Sequence, residues 1–160
     1  YDRSPAAAEM ARFEWTLGEA FDAADADPVT ADDLMALAPE AWETLTFTAL
    51  PSLRRLALAF DVPQAWQRRE EVEPGTLEVT EAAETEAPVA WVIWRPERTT
   101  HFRSMPADEA AAFDALARGA SFPDICEALA PHTGEADAPS RAAQYLRGWV
   151  EGGMIATFSP

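Results

Sequence analysis

The feature that most restricts how this chain can fold is an acidic segment near its middle. Residues 70–88, EEVEPGTLEVTEAAETEAP, hold seven acidic residues, two prolines, one glycine and no basic residue. A segment with so few large apolar side chains contributes little to a hydrophobic core, and it predicts a long connecting loop. We therefore expect a first part, residues 1–69, and a second part, residues 89–160, joined by this acidic linker loop.

The first part begins with the pattern of two helices. Apolar residues at steps of three or four predict a helix over about residues 5–25, with one face toward a core. Thr30 and Asp33 have the spacing of a capping box, which predicts a short helix that ends near Leu37. The expected buried stripe of the first helix consists of Met10, Phe13, Leu17, Phe21 and Ala24.

The rest of the first part has the pattern of two strands and a short helix. Apolar and polar residues alternate at 44–48 and again at 56–60, with Pro51 and Ser52 between them. We expect these strands to form a β-hairpin, and a short helix at about 63–69 to follow. The first part is therefore interpreted as helical plus β-hairpin.

The second part has the pattern of a hairpin, three helices and a last strand. Val89–Trp94 is apolar on both faces, whereas Thr99–Ser104 is polar around a central Phe102. Two helices joined by a short glycine-containing turn, with a third helix and a hairpin, predict a winged-helix-like unit. The whole chain is expected to be an α+β protein. The predicted helices span 107–118, 122–130 and 139–151, and the predicted last strand spans 154–158.

The charge limits the partners that the chain can have. The formal net charge is −16, and all twelve basic residues are arginine. So acidic a protein repels phosphate, and we expect no nucleic-acid partner. The single cysteine fits a reducing compartment, and no apolar run approaches a membrane span, so we expect a cytoplasmic protein without membrane contact. The chain begins at Tyr1 rather than Met, and we expect it to be a piece of a longer protein.

No group of residues has the pattern of an active site. His101 and His132 lie far from each other and from other ligand types at metal-binding spacings. Cys126 falls on the apolar face of its helix, where an inert thiol is expected rather than a nucleophile. Glu14, beside Trp15, is better explained by a solvated helix face. The sequence therefore predicts no catalytic residue, no metal and no cofactor, and we expect no enzyme.

The second part resembles a known peptide-recognition module. The segments RGASFPDICEAL (118–129) and AAQYLRGWVEGGMIATF (142–158) are similar to the PqqD-like domain, which binds leader peptides during the biosynthesis of modified ribosomal peptides. The resemblance covers about residues 89–160. It implies that an extended peptide adds to the hairpin edge and places alternate side chains beside the third helix.

A second resemblance spans almost the whole chain. EMARFEWTLGEAFDAADADP (9–28) and ALPSLRRLALAFDVPQAW (49–66) resemble the region after the N-terminal domain of the HvfC/BufC family, whose members were long labelled as DNA-binding proteins. That resemblance implies a non-catalytic partner of a multinuclear non-heme iron oxidative enzyme. In that family the enzyme modifies cysteines of a small precursor peptide, often in copper homeostasis, and the iron sits in the enzyme subunit.

Two alternatives remain beside peptide presentation. A winged-helix unit most often binds DNA through its third helix, which makes a DNA-binding transcriptional regulator the first alternative. A structural subunit that stabilises the enzyme without touching peptide is the second.

The candidate site residues follow from these expectations. The polar strand Thr99–Ser104 has the weak alternation of an edge strand and is expected to receive the peptide. Trp15 and Trp42 fall off the predicted apolar stripes, so we expect them to contact the enzyme, although completion of the core explains both equally well. The residues expected to contact the peptide are Thr100, Phe102, Arg103, Arg141, Gln144, Tyr145 and Arg147.

Overall fold

The computed structural model describes residues 4–71 and 82–160. In these residues the fold is mixed α+β, with six α-helices, one 3₁₀ turn and two small antiparallel sheets. The predicted α+β class is confirmed. In chain order the elements are α1 (Pro5–Asp22), α2 (Ala31–Met35), the 3₁₀ turn Pro39–Glu43, β1 (Thr46–Ala49), β2 (Arg54–Phe60), α3 (Val62–Glu71), β3 (Glu84–Trp94), β4 (His101–Met105), α4 (Ala107–Ala117), α5 (Phe122–Thr133), α6 (Ala138–Glu151) and β5 (Ile155–Ser159).

The hairpin expected in the first part is not formed. β1 pairs with β5, and β2 pairs with β3, so each sheet joins strands from the two sides of the acidic segment. Alternation shows which residues of a strand share a face, but it does not identify the neighbouring strand. The hairpin expected in the second part is confirmed, because β3 and β4 pair antiparallel from Ala90↔Met105 to Trp94↔His101.

The acidic linker is shorter than expected within the described residues. α3 extends to Glu71, and β3 already begins at Glu84, so both ends of segment 70–88 belong to regular elements. The start of β3 is mostly exposed, which explains why its composition looks like that of a loop. The middle of the predicted linker, residues 72–81, lies outside the described residues.

The three-stranded sheet β2-β3-β4 separates two hydrophobic cores. On one face, Ile93 and Leu58 are fully buried with Phe13 of α1, and Phe102 stacks edge-on against Phe13 with ring centroids 5.2 Å apart. On the other face, Val92, Trp94 and Met105 belong to the larger core that α4, α5 and α6 complete. Residues alternate between these faces along each strand, as the pleat requires.

Helix boundaries follow the local signals in the sequence. The Thr30 hydroxyl accepts from the Asp33 backbone N–H, and the Asp33 carboxylate accepts from the Thr30 N–H, which completes the predicted capping box. Ser121 and Asp124 form a second box at the start of α5. In each box the hydroxyl and backbone hydrogen bonds hold the pKa of the aspartate below its ordinary value.

The first helix departs from its predicted stripe at its C-terminal end. α1 ends at Asp22 rather than near residue 25, and Phe21 is 62 % exposed. The buried positions are Phe13, Thr16 and Ala20, and Phe21 therefore lies about 100° around the helix from Ala20. The prediction that Phe21 is a core residue is wrong.

Arg95, directly after β3, fastens the end of α1 to the sheet. Its side chain is only 7 % exposed. The last carbonyl groups of a helix have no intrahelical partner, and Arg95 supplies donors to that end of α1. The Arg95 side chain donates to the carbonyl oxygens of Ala20, Ala23 and Glu97 and to the Asp25 carboxylate, while its backbone N–H donates to the Ser52 hydroxyl.

Candidate functional site

The covered edge of the three-stranded sheet is β2. Its backbone is bonded by side chains of α1, because the Glu9 carboxylate accepts from the N–H groups of Ala59 and Phe60, each at 3.0 Å. Arg12 of the same helix donates to the carbonyl oxygen of Ala57. A strand edge that would otherwise offer free backbone groups is thereby closed by a helix.

The opposite edge is β4, and in the described part of the chain it is not covered by helix side chains in the way that β2 is. β4 pairs with β3 on one side only, so the expectation that this polar strand is an edge is confirmed within the described strands. In residues 4–71 and 82–160, no side chain of another element bonds to the backbone of β4. The one side-chain bond to its backbone is local, from Arg103 to the carbonyl of Ser104.

Beside this edge, a buried carboxylate links β4, α4 and α6. Glu109 is only 4 % exposed and accepts from both terminal nitrogens of Arg103, at 2.5 and 3.0 Å. The same carboxylate accepts from the indole N–H of Trp149 at 2.9 Å. A buried charge is stable only when it is paired and hydrogen-bonded, and this arrangement provides both. Arg103 is therefore held in place by Glu109, and its charge is compensated.

A second carboxylate fixes the exposed side of α6. Asp108 accepts from the Tyr145 hydroxyl at 2.6 Å and from Arg141 at 3.3 Å, while the Arg141 guanidinium lies 5.0 Å from the Tyr145 ring centre. The Tyr145 hydrogen bond holds the pKa of Asp108 below its ordinary value. Burial and the neighbouring Asp108 carboxylate raise the pKa of Tyr145 to about 12. These shifts keep Tyr145 protonated and Asp108 ionised over a wide pH range.

A groove of about 820 Å³ opens at the other end of β4. Ligand sites in proteins commonly have volumes of about 300–1,000 Å³, so this groove is large enough for a ligand. Its floor includes Trp94, whose indole N–H donates to the Gly152 carbonyl at 2.7 Å. The residues that line it are Pro28, Val29, Thr30, Ala31, Trp94, Pro96, Glu97, Thr99, His101, Val150, Glu151, Gly152 and Gly153.

Gly153 is required at the base of this groove. Its φ is +68°, and a Cβ there would lie 2.8 Å from the Pro96 Cβ and 3.3 Å from the Pro28 Cγ. Any larger residue would combine an unfavourable backbone conformation with a steric clash. The close approach of these three residues brings the chain before α2, the turn after β3 and the end of α6 together around the groove.

The structure brings together some of the residues predicted for peptide contact. Arg103, Arg141 and Tyr145 lie in one connected set of contacts between β4, α4 and α6. Thr100 precedes β4 and is half-buried, whereas Gln144 is exposed on α6 one residue before Tyr145. These five positions remain candidates for contact with a peptide.

Two of the predicted contact residues lie elsewhere. Phe102 points to the opposite face of the sheet, where it packs with Phe13, Trp66 and Trp91. Arg147 follows Tyr145 by two positions, and residues two apart on a helix do not share a face. Strand and helix periodicity therefore direct Phe102 and Arg147 away from the Tyr145 surface, and their contact with a peptide stays a prediction.

The two tryptophans proposed for an enzyme contact differ in exposure. Trp15 of α1 is 72 % exposed, as expected for a residue outside the core. Trp42 is half-buried against the larger core and meets Phe122 edge-on, with ring centroids 5.3 Å apart. Trp42 thus has a packing role in the fold, which agrees with the alternative interpretation given for it, and Trp15 is the better candidate for a partner contact.

The residues that could support chemistry remain scattered. His101 stacks on Trp94, and His132 is exposed near the end of α5. Cys126 is half-buried, and burial raises the pKa of its thiol, which disfavours the reactive thiolate. In the described parts of the chain, no three His, Cys, Asp or Glu side chains are grouped as metal ligands would be. The absence of a resident metal stays a prediction.

Sequence reasoning did not identify the acidic members of the site. Asp108 and Glu109 fall within the helix predicted over 107–118, and neither they nor Glu97 has a sequence pattern that predicts a role in the site. The available signal was the pair Asp108–Glu109 in the first turn after Pro106, because adjacent helix residues point about 100° apart and the two therefore do not share one solvent-facing direction. The groove itself depends on contacts between distant segments, for which no local signal exists.

The chain has no match among protein-family models, and no curated protein is similar to it. No helix in the described residues combines the length and the apolar character needed to cross a bilayer.

Proposed function

We propose that this protein is a non-catalytic partner that binds a ribosomally made precursor peptide and presents it to an iron-dependent oxidative enzyme, which modifies the peptide's cysteines. The observation that carries the peptide-binding part is the difference between the two sheet edges. α1 closes the outer edge of β2, whereas the edge of β4 that faces away from β3 has no hydrogen-bonding partner in the described residues and borders a groove at one end. An extended peptide binds to such an edge through its backbone.

The order of elements around β4 supports this proposal. The β3–β4 hairpin is followed by α4, α5 and α6, which is the order that we interpret as a winged-helix-like, PqqD-like unit. Arg103 and Tyr145 are fixed in position by Glu109 and Asp108, so the surface between β4 and α6 is organised before any ligand arrives. A preorganised surface loses less conformational entropy when it binds a peptide.

The oxidative enzyme enters the proposal through the resemblance to the HvfC/BufC family. Trp15 offers a surface for it, because large exposed aromatic side chains often anchor protein interfaces. α1 packs on the face of the sheet opposite α4 and α6, so a partner at Trp15 leaves the groove accessible. Holding peptide and enzyme on one carrier raises the effective concentration of the peptide at the iron site.

DNA binding receives less support from the same surface. Arg141 is bound to Asp108, and Arg103 is bound to Glu109, so neither guanidinium is free of a neighbouring carboxylate. Affinity for DNA needs several basic residues that neutralise phosphates. We therefore expect no gel shift with duplex DNA even at low salt.

Two proline substitutions test the proposed edge. Consecutive N–H groups along a strand point to opposite sides, and His101 and Ser104 are an odd number of residues apart. One of His101→Pro and Ser104→Pro therefore removes a hydrogen bond to β3 and lowers Tm. The other removes a donor from the open edge, and it should abolish peptide binding while Tm stays nearly unchanged.

The probe is a pool of peptides that wild-type protein enriches from a displayed random library. Ser104→Ala is the matched control for Ser104→Pro, because the side chain is exposed and alanine keeps the backbone N–H. His101→Ala also keeps the N–H, and it separates loss of the groove-lining imidazole from loss of the backbone donor in His101→Pro. Failure to enrich any peptide, or equal binding by wild type and the proline variant that keeps its Tm, contradicts peptide capture at β4.

A further inference from the structure

The charges around the groove point to the class of peptide that it accepts. Arg103 and Arg141 are each compensated by a carboxylate, whereas Glu97 and Glu151 line the groove and form no ion pair with any described residue. No arginine lines the groove. We propose that the groove binds a basic amphipathic segment, with an apolar side chain against Val29 and Pro96 and a lysine or arginine of the same segment against Glu97 and Glu151. This inference rests on the proposed function.

The contact with the apolar side chain of the peptide comes from the apolar residues that line the groove. The accessible apolar surface comes from Pro96 and from Pro28 and Val29 in the chain before α2, which are half-buried. Trp94 and Val150 also line the groove but are almost fully buried. The volume of about 820 Å³ is large enough for several residues rather than one side chain. Burial of apolar surface stabilises a complex without requiring a particular orientation of the buried groups. Any large apolar side chain of the peptide can therefore serve as the anchor.

The expected position of the peptide's lysine or arginine follows from two carboxylates at the rim of the groove. Glu97 lies in the turn between β3 and β4, and Glu151 is the last residue of α6, so the two carboxylates stand on different elements around the same opening. Both residues are exposed, so their carboxylates remain hydrated in the free protein. A flexible cationic side chain can lie along the apolar floor and keep its charged end near these carboxylates.

An extended peptide on β4 places these contacts at strand spacing. His101 and Arg103 lie on the same face of β4, and same-face positions are separated by about 6.7 Å. One residue of the peptide therefore meets the groove near His101, and the residue two positions away meets the Arg103 and Tyr145 surface. The expected recognition motif alternates, with its basic and apolar residues close to the His101 end.

This assignment reverses part of the expectation from sequence. Counting Arg103, Arg141, Glu97, Asp108, Glu109 and Glu151, the surface carries two cations against four carboxylates. From the sequence alone, a groove lined by Arg103, Arg141 and Arg147 is expected to suit an acidic or amphipathic peptide. The net charge of −16 acts in the same direction at long range, since it attracts basic peptides and repels acidic ones.

Three labelled peptides of alternating Thr and Val provide the probes. They are identical except for two internal positions, which carry arginine, glutamine or glutamate. Fluorescence anisotropy should show the tightest binding for the arginine peptide and the weakest for the glutamate peptide, with a difference that shrinks as salt is added. The double substitution Glu97→Gln with Glu151→Gln should weaken arginine-peptide binding about five-fold, as expected for two exposed ion pairs.

The matched control is the double substitution Glu127→Gln with Glu135→Gln. Both residues are exposed and do not line the groove, and their replacement changes the net charge equally. Binding of the arginine peptide to this control should stay within about two-fold of wild type at moderate salt. A second pair, Ala31→Trp at the groove and Ala36→Trp outside it, tests whether filling the groove blocks binding.

The outcomes separate the two proposals. If wild type binds none of the three peptides, peptide capture itself fails, and this inference fails with it. If it binds all three equally, or if both glutamate double variants lose the same affinity, the groove is not a basic-peptide site although peptide capture stands. Unchanged binding by Ala31→Trp also overturns the assignment to this groove.

Discussion

On one side of the three-stranded sheet, α1 lies beside β2, and its Glu9 and Arg12 side chains bond to the strand backbone. On the other side, β4 has α6 nearby, but the side chains of α6 bond to α4 rather than to the strand. An open strand edge invites unwanted pairing, and proteins usually protect it. In this chain a charged helix covers one edge, whereas the other edge is open in the described residues and has a groove at one end, which is the arrangement expected if the second edge binds a partner.

The largest effect should come from loosening the helix that covers β2. Arg95→Met removes all the donors that fasten the end of α1 and leaves carbonyl groups there without a partner. We expect a loss of about 3 kcal/mol in the free energy of unfolding, mostly from the carbonyl contacts, because Asp25 is largely exposed.

Urea unfolding measures this loss. Arg98→Met is the control, because Arg98 is exposed in the same turn and its replacement should change stability by less than about 0.5 kcal/mol. Similar stabilities for the two variants would show that Arg95 does not fasten the helix.

A smaller effect should follow from opening the β2 edge itself. Glu9→Ala leaves the N–H groups of Ala59 and Phe60 without their acceptor, and we expect a loss of about 1–2 kcal/mol. Hydrogen exchange at these two amides should accelerate until it approaches that of the outward amides of β4.

Glu14→Ala is the matched control on the same helix. Glu14 pairs with Arg69 at an exposed position, which contributes about 0.5 kcal/mol or less. If Ala59 and Phe60 exchange as fast in wild type as in Glu9→Ala, α1 does not close this edge, and the contrast between the edges disappears.

The smallest effect concerns the side of α6 that faces the open edge. Tyr145→Phe keeps the ring but removes the bond to Asp108, and we expect a loss of about 1 kcal/mol near neutral pH. Because the pKa of Asp108 is lowered in the fold, its share of this stability is present above the ordinary aspartate value and is lost as pH falls through the lowered one. Because the pKa of Tyr145 is raised to about 12, its share is present below about 10 and is lost as pH rises through 12.

The free energies of unfolding of wild type and Tyr145→Phe should therefore converge at both low and high pH. With Asp108→Asn in both proteins, the difference in free energy of unfolding should no longer change at acidic pH, because an amide does not titrate there. A constant difference between wild type and Tyr145→Phe from acid to alkali would contradict the assigned pair.

Local signals in the sequence predicted the helices well. Thr30 with Asp33 and Ser121 with Asp124 mark their helix starts through bonds that span only three residues. The polar character of His101–Met105 likewise identified an edge strand, because burial on both faces would require apolar residues.

The partners of the strands and of the arginines could not be predicted in this way. β2 and the strand expected to form a hairpin with it both alternate, yet each pairs with a strand from beyond the acidic segment. Arg103 and Arg141 looked like free cations because Glu109 and Asp108 approach them only after the helices pack. The net charge of the surface beside β4 therefore depends on tertiary contacts rather than on composition.

The pairing of β1 with β5 also constrains when the protein can become native during synthesis. Thr46 and Ser159 are 113 residues apart, so β1 leaves the ribosome long before its partner strand exists. β2 similarly waits for β3, and such distant pairings slow folding because a long loop must close before they form. Until then, β1 and β2 have no partner strand within the chain, and unpaired strand edges of this kind are where incompletely folded chains aggregate.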